Sequence, residues 1–298
     1  MNLTTYDTWK NNDSVQIANI MLEAILEDFI IKTTGITEMQ KSRRFAQRHR
    51  AVGIGALGFA TYLQAKNQPF TGMYATAITK QMFNYIKQES RKSSRELAKV
   101  LGNAPMVEEY NKKFGTKHLA RHSTLMAIAP TVSNSTISGG VSAGIEPLPS
   151  NYYSQKSAKG NFTVINKALQ SLITDKYPEN DTVETWESIR DHQGSVQQLD
   201  WMIDADKEVF KTFSEINQFE LVRLAAVRQE YIDQGQSLNV HIAPDTDPKL
   251  ISALYLMGAE LGIKGFYYQR STSILRNTSG VGGGALAMDP IDCGACDG

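Results

Sequence analysis

Between residues 13 and 31 the apolar side chains Ile17, Ile20, Met21, Ala24, Ile25 and Phe29 recur mostly three and four positions apart, the spacing of one helix face. Asp13 and Ser14 precede them as N-cap candidates. Glu23, Glu27 and Asp28 interrupt the stretch, so it predicts an amphipathic helix and not a membrane span. Residues 1–12 read as polar and turn-rich. A basic stretch at 41–50 leads into the apolar run 52–63, and 72–101 predicts one or two long helices stopped by Gly102. Residues 123–129 (STLMAIA) predict a short buried strand ending at Pro130, followed by a polar loop over 131–140. Residues 162–216 read as mainly helical. A strong helix is predicted over 219–233, a strand over 238–243, a helix from Asp247 or Pro248 to Gly262, and a last strand over 265–269 (GFYYQ).

Strands alternating with long helices predict an α/β architecture. The strands are few for so many residues, so the sheet or barrel is incomplete and another segment must complete it. Residues 1–270 form the expected folded unit. From 271 to 298 the chain is Ser, Thr, Asn and Gly-rich, which predicts a mobile tail.

Composition narrows the field. The 298 residues are 41% hydrophobic and 21% charged, with 31 basic and 31 acidic side chains and no formal net charge. Nothing here advertises long-range attraction to nucleic acid or an anionic membrane. The polar start carries no secretory signal, and the expected compartment is the cytosol. Only two cysteines occur, Cys293 and Cys296, both among the last six residues. That excludes a disulfide framework.

Gly53-Ile54-Gly55-Ala56-Leu57-Gly58 matches GxGxxG, but no acidic residue occurs over 71–82 to bind a ribose. The simpler reading is close backbone packing. His118 and His122 stand four apart without an HExxH pattern, so no metal site is expected. Pro130, Thr131, Val132, Ser133 and Asn134 follow a strand end; their hydroxyls and free N–H groups suit a phosphate, or equally a capped turn.

Tyr267 and Tyr268 sit at the end of the last strand. Two adjacent phenols can relay a radical, each losing a proton together with an electron, but neighbours in a regular strand point to opposite faces. A relay therefore needs a local twist of the backbone. Cys293-Gly294-Ala295-Cys296 cannot fill a zinc site alone and lacks the helix of a thioredoxin motif. It is a dithiol on a tether, with a reach of roughly 25–30 Å from Tyr268 if flexible.

In this order the motifs resemble those of one family. Arg50-x-x-Gly53-Ile54-Gly55-x-x-Gly58, the stretch from Ser123 through Pro130 and Ser133 to Gly144-Ile145-Glu146-Pro147, Gln236-Ser237-Leu238-Asn239, Tyr267-Tyr268-Gln269 and the tail dithiol are similar to the large, catalytic subunit of class I ribonucleotide reductases. The resemblance runs from about residue 13 to the end. It implies the later half of a ten-stranded α/β barrel. It implies substrate-phosphate binding at Pro130, Thr131, Val132, Ser133 and Asn134, and a radical relay through Tyr267 and Tyr268. It further implies that Cys293 and Cys296 re-reduce the active-site cysteines and are recharged by thioredoxin or glutaredoxin. No cofactor is expected on this chain, since the radical would come from a metal-containing small subunit, docked near Leu254 and Met257.

The radical and reducing cysteines of that family should lie upstream of residue 13, and this chain has none there. A second polypeptide would have to supply them, or the chain is an excised fragment. Val132 also departs from the smaller or polar residue expected in the phosphate loop. The competing expectations are a non-catalytic scaffold and a stand-alone thiol–disulfide oxidoreductase. A glycyl-radical enzyme would want a four-cysteine zinc site that two cysteines cannot make.

Overall fold

The computed structural model describes residues 1–157 and 160–271. Its helices are α1 (Tyr6–Trp9), α2 (Ser14–Lys32), α3 (Gln40–His49), α4 (Phe59–Ala65), α5 (Met73–Leu101), α6 (Pro105–Phe114), α7 (Val132–Ile137), α8 (Lys167–Lys176), α9 (Val183–Asp191), α10 (Asp204–Val209), α11 (Gln218–Gln229) and α12 (Pro248–Glu260). The strands are β1 (Tyr152–Ser157), β2 (Gly160–Ile165), β3 (Val240–His241) and β4 (Gln269–Arg270).

Five extended stretches run parallel in chain order, with helices on the crossovers. Single bridges join Asn2 to Leu57, Ile54 to Met126 and Ile128 to Gln236, and β3 pairs with β4. The backbone bonds are regular enough to fix the register: Ile54 N–H donates to Leu125 O at 2.8 Å, and Ala127 N–H to Ile54 O at 3.2 Å. Side chains pin the ladder further. The Asp233 carboxylate accepts from the N–H groups of Leu125 and Met126 at 2.8 and 3.0 Å, and Gln234 Nε2 donates to Val52 O at 2.9 Å.

The glycine run explains why these segments can approach. A Cβ on Gly53 would stand 2.9 Å from Ala127 Cβ, and one on Gly55 2.9 Å from Ala127 O. Both contacts are closer than side chains tolerate, so the glycines serve the close packing that the simpler reading expected.

The main core gathers along the ladder from Leu3, Ile54, Phe59, Phe83, Met126, Ile128, Val222, Val240 and their neighbours. A second cluster (Leu169, Ile173, Ile189, Val196, Leu199, Phe210) lies beneath α8 to α10. Two expectations need correction. The opening residues are not simply a polar turn, because Leu3, Tyr6 and Trp9 are buried and Leu3 N–H joins the ladder at Leu57 O. The region expected to be mainly helical opens inside an antiparallel hairpin, β1 with β2, whose first strand (YYSQKS) lacks the apolar alternation that would have announced it.

Helix α2 runs where the spacing predicts, but not facing as expected. Val15 and Ile30 are buried, with Ala18, Leu22 and Leu26 packed partly against the core. The predicted apolar face, by contrast, points out: Ile17, Met21 and Ile25 are 61%, 63% and 55% exposed. Polar side chains occupy the contact with α5 instead, where Asn19 donates to Ser90 O at 3.0 Å and Gln16 to Glu89.

At the centre of that contact Glu23 is buried with Arg50, Arg121 and His122. Arg50 donates to it at 2.7 Å, Arg121 at 2.8 Å, and His122 Nε2 lies 3.1 Å away. Arg50 also reaches Glu27 at 2.5 Å from a left-handed C-cap, φ 46°. Burial alone would push the Glu23 carboxyl up; the hydrogen bonds from His122, Arg50 and Arg121 outweigh it and hold it at about 2.

Two outcomes follow. Glu23→Ala takes the shared carboxylate from the buried Arg50, the half-buried Arg121 and the buried His122, and should cost about 3 kcal/mol in urea denaturation, Arg50 retaining Glu27 and Arg121 the carbonyls of Leu101 and Gly102. Because the folded-state pKa is depressed, Glu23 stabilises the fold above the ordinary carboxylate range, and that stability should drain away as pH falls toward about 2; in the Ala variant this part of the acid sensitivity should be absent. Gly55→Ala, driven against the Ala127 carbonyl, should cost about 1–3 kcal/mol by the same measurement.

Candidate functional site

In parallel α/β folds the loops at the carboxyl ends of the strands carry the chemistry. Two such places were expected to matter here: the loop after 124–128 and the end of the last extended segment.

The first begins at Pro130. Thr131 is left-handed, φ 55°, and starts the short helix α7. Its hydroxyl accepts from Gly144 N–H at 2.8 Å, which folds the loop 141–147 back over it. That loop also receives Gly58 N–H at Ser142 O, 2.8 Å. Val132, Ser133 and Asn134 are exposed, so the first N–H groups of α7 lie at an accessible surface.

At the second place, Tyr267 and Tyr268 have ring centroids only 4.1 Å apart with the planes inclined by 52°. They are not thrown to opposite faces, because the backbone is irregular there. Tyr267 N–H donates to Leu238 O, while it is Tyr268 O that accepts from Val240 N–H. Both rings are partly open to solvent.

The two places are physically joined. Tyr268 N–H donates to Asn239 Oδ1 at 3.0 Å, and Asn239 N–H to Glu146 Oε1 at 3.0 Å. Glu146 lies two residues after Gly144, whose N–H is held by Thr131. A thread of hydrogen bonds thus runs from the Thr131 hydroxyl through the loop to the tyrosine pair. Burial pushes the Glu146 carboxyl up, against the opposing pull of Asn239, Arg270 and Arg228. Arg228 is wholly buried, its Nε donating to Gln236 Oε1 at 3.3 Å and its guanidinium 5.5 Å from the Phe59 ring centroid. Burial brings it down to about 9, against the opposing pull of Glu146.

Asn239, Glu146 and Arg228 were not among the expected site residues. Two of them lie in stretches that carried the family resemblance, but no spacing rule says that an asparagine side chain will take up a neighbouring strand's spare N–H. Leu254 is corrected as a docking residue: it is 2% exposed and belongs to the core, and Met257 is half-buried against that core. The outward apolar side chains of this region are Leu250, Leu256 and Leu261. His122 spends both ring nitrogens on Ser94 and Glu23. Cys293 and Cys296 lie outside the described residues.

The ribonucleotide reductase barrel-domain model matches residues 2–119 and 112–269. The chain belongs to that family. It is 35% identical to the ribonucleoside-diphosphate reductase large subunit of Invertebrate iridescent virus 3, covering 100% of this chain and 46% of that protein. It is 32% identical to the vaccinia virus large subunit, over 89% of this chain and 36% of the other. The solved class Id ribonucleotide reductase alpha subunit of Actinobacillus ureae superposes with a TM-score of 0.83 at 41% identity, covering 92% of this chain and 49% of that one. The chain thus spans about half the length, or less, of the reductase subunits it matches. Its five parallel segments are the later part of the reductase barrel, as the fold expectation had it.

One test follows from the loop. Thr131→Val leaves the Gly144 N–H without its acceptor and should destabilise the fold by about 1–3 kcal/mol in chemical denaturation.

Proposed function

We propose that this chain is the C-terminal portion of a ribonucleoside-diphosphate reductase large subunit and works in the reduction of ribonucleotides to deoxyribonucleotides. Pro130, Thr131, Val132, Ser133 and Asn134 bind the substrate phosphates, with backbone N–H groups at the start of α7 as the donors. Val132 does not prevent this, because backbone donors do not depend on the side chain. Tyr267 and Tyr268 pass a radical between a small subunit and a cysteine carried on the missing half of the barrel. Cys293 and Cys296 return reducing equivalents to the active-site cysteines and are recharged by thioredoxin or glutaredoxin, by thiol–disulfide exchange.

The observation that carries this reading is the contact of the two phenol rings at 4.1 Å. Adjacent residues of a strand do not ordinarily touch in this way, and the contact answers the objection that a Tyr-Tyr pair would be split between faces. Membership of the reductase family supports the same assignment.

The active assembly needs the earlier half of the barrel together with the small subunit. Helix α2 supports the first of these: Ile17, Met21 and Ile25 form an exposed apolar stripe on its outer side, and a contiguous exposed apolar patch marks an interaction surface. The small subunit docks on the outer side of α12 around Leu250 and Leu256. The compartment is the cytoplasm; among the described residues no helix is long and apolar enough to cross a membrane.

The deciding experiment is reduction of CDP by the missing half and the small subunit, with and without this chain. Turnover should require this chain and should fall to background in Tyr268→Phe, which keeps the ring but removes the transferable proton. Equal turnover without it would make the chain a scaffold.

A further inference from the structure

In a regular parallel pair one residue gives its N–H to the strand opposite and takes an N–H back at its own carbonyl two positions further along. Here the two tasks fall to consecutive residues. Tyr267 N–H goes to Leu238 O at 2.8 Å, and Tyr268 O receives Val240 N–H at 3.0 Å. One extra residue has been inserted opposite Asn239. This is a bulge, and it re-aims side chains as bulges do: both rings come to the same place, 4.1 Å apart.

A bulge leaves one N–H without a ladder partner. The Tyr268 N–H is that group, and Asn239 Oδ1 takes it at 3.0 Å. Leu238 and Val240 face the tyrosine segment, so the Asn239 N–H between them points to the other edge of the strand, where it goes to Glu146 Oε1 at 3.0 Å. Asn239 is 3% exposed, so water cannot substitute freely for either bond.

We infer that Asn239, seated on Glu146, is the positioning residue that sets the geometry of the Tyr267–Tyr268 pair. The inference rests on the relay reading above. In the relay step a phenoxyl radical on one ring takes an electron and a proton from the other. The O–H bond of the second tyrosine breaks as that of the first forms, so the pair exchanges a hydrogen atom with no net oxidation, the initial radical being supplied by the small subunit. Such a transfer depends steeply on the separation and inclination of the rings, and those are what the bulge fixes. Asn239 touches neither substrate nor the reacting oxygens; it acts through the backbone of Tyr268. Glu146 in turn ties this arrangement to the loop held by Thr131.

The test uses the full chain in the assembled reductase, with crystal structures of the variants beside steady-state kinetics. Asn239→Leu fills the same space but offers no acceptor. The rings should part, and kcat should fall about 100-fold, the scale of a misplacement near 1 Å, while KM for CDP stays unchanged. Glu146→Gln keeps an acceptor for the Asn239 N–H and should retain more turnover than Glu146→Leu. Rings still in contact in Asn239→Leu would overturn the inference, as would parted rings with kcat intact. Should that variant not fold, Glu146→Leu is read by the same two criteria. Undiminished turnover in Tyr268→Phe would instead sink the relay itself, and ring geometry in Asn239→Leu alone would then decide what Asn239 positions.

Discussion

The parallel ladder joins parts of the chain that no local turn brings together. A hairpin sets its own register through its turn, whereas parallel strands must be brought back by a crossover of a dozen residues or more, and closing such long loops costs entropy. Here the register is held by polar side chains that reach across. The Asp233 carboxylate grips two N–H groups of a segment 107 and 108 residues away, and the Gln234 amide holds the Val52 carbonyl 182 residues away. The buried Glu23 does the corresponding work for the helices. By binding Arg50, Arg121 and His122 together it fixes α2 against the end of α3 and the entry to the third segment. With these anchors in place, the loops at Thr131 and Glu146 and the last strand have a rigid frame to lean on.

How far this could be read in advance depended on whether a feature is written in local spacing. Helices α2, α5 and α12 follow from periodicity and their stops, and Asp247 caps α12 through Lys249 N–H as its position suggests. The family resemblance pointed to the loop at Thr131 and to the Tyr267–Tyr268 pair, which hydrogen bonds through Glu146 and Asn239 connect. What spacing could not supply was orientation. The outward stripe of α2 obeys the same three-and-four rule as an inward one, and only the facing serines of α5 reveal which side packs. Leu254 and Leu256 are equally apolar in sequence; burial separates them. The hairpin of β1 and β2 was invisible because its first strand has no alternation. The bulge at Tyr268 was invisible because its cause, Asn239, lies 29 residues earlier.

Helix α2 carries a second lesson about partial barrels. A chain folded around one part of a closed sheet still has to cover its own side chains, and this one does so by setting Asn19 of α2 against the serines of α5 while leaving isoleucines outside. The interior of the helix contact is thus more polar than its surface. Asn19 Nδ2 and Gln16 Nε2 find partners across the contact, while among the described residues Gln16 Oε1, Asn19 Oδ1 and the Ser90 hydroxyl have none within the chain.

The bulge also bears on how this stretch of sequence can change. In a strand, side chains alternate, so removing one residue swaps the face of everything beyond it. The single extra residue opposite Asn239 therefore acts as a phase shift between the segment before Tyr267 and the pair Gln269–Arg270. Deleting one residue there would restore an unbroken ladder and would look harmless to the fold, yet it would send the surviving aromatic rings to different sides. Substitutions at these positions can be graded by degree, whereas a change of length cannot. From Tyr267 to Arg270 a substitution therefore acts on one side chain, whereas a change of length acts on all of them at once.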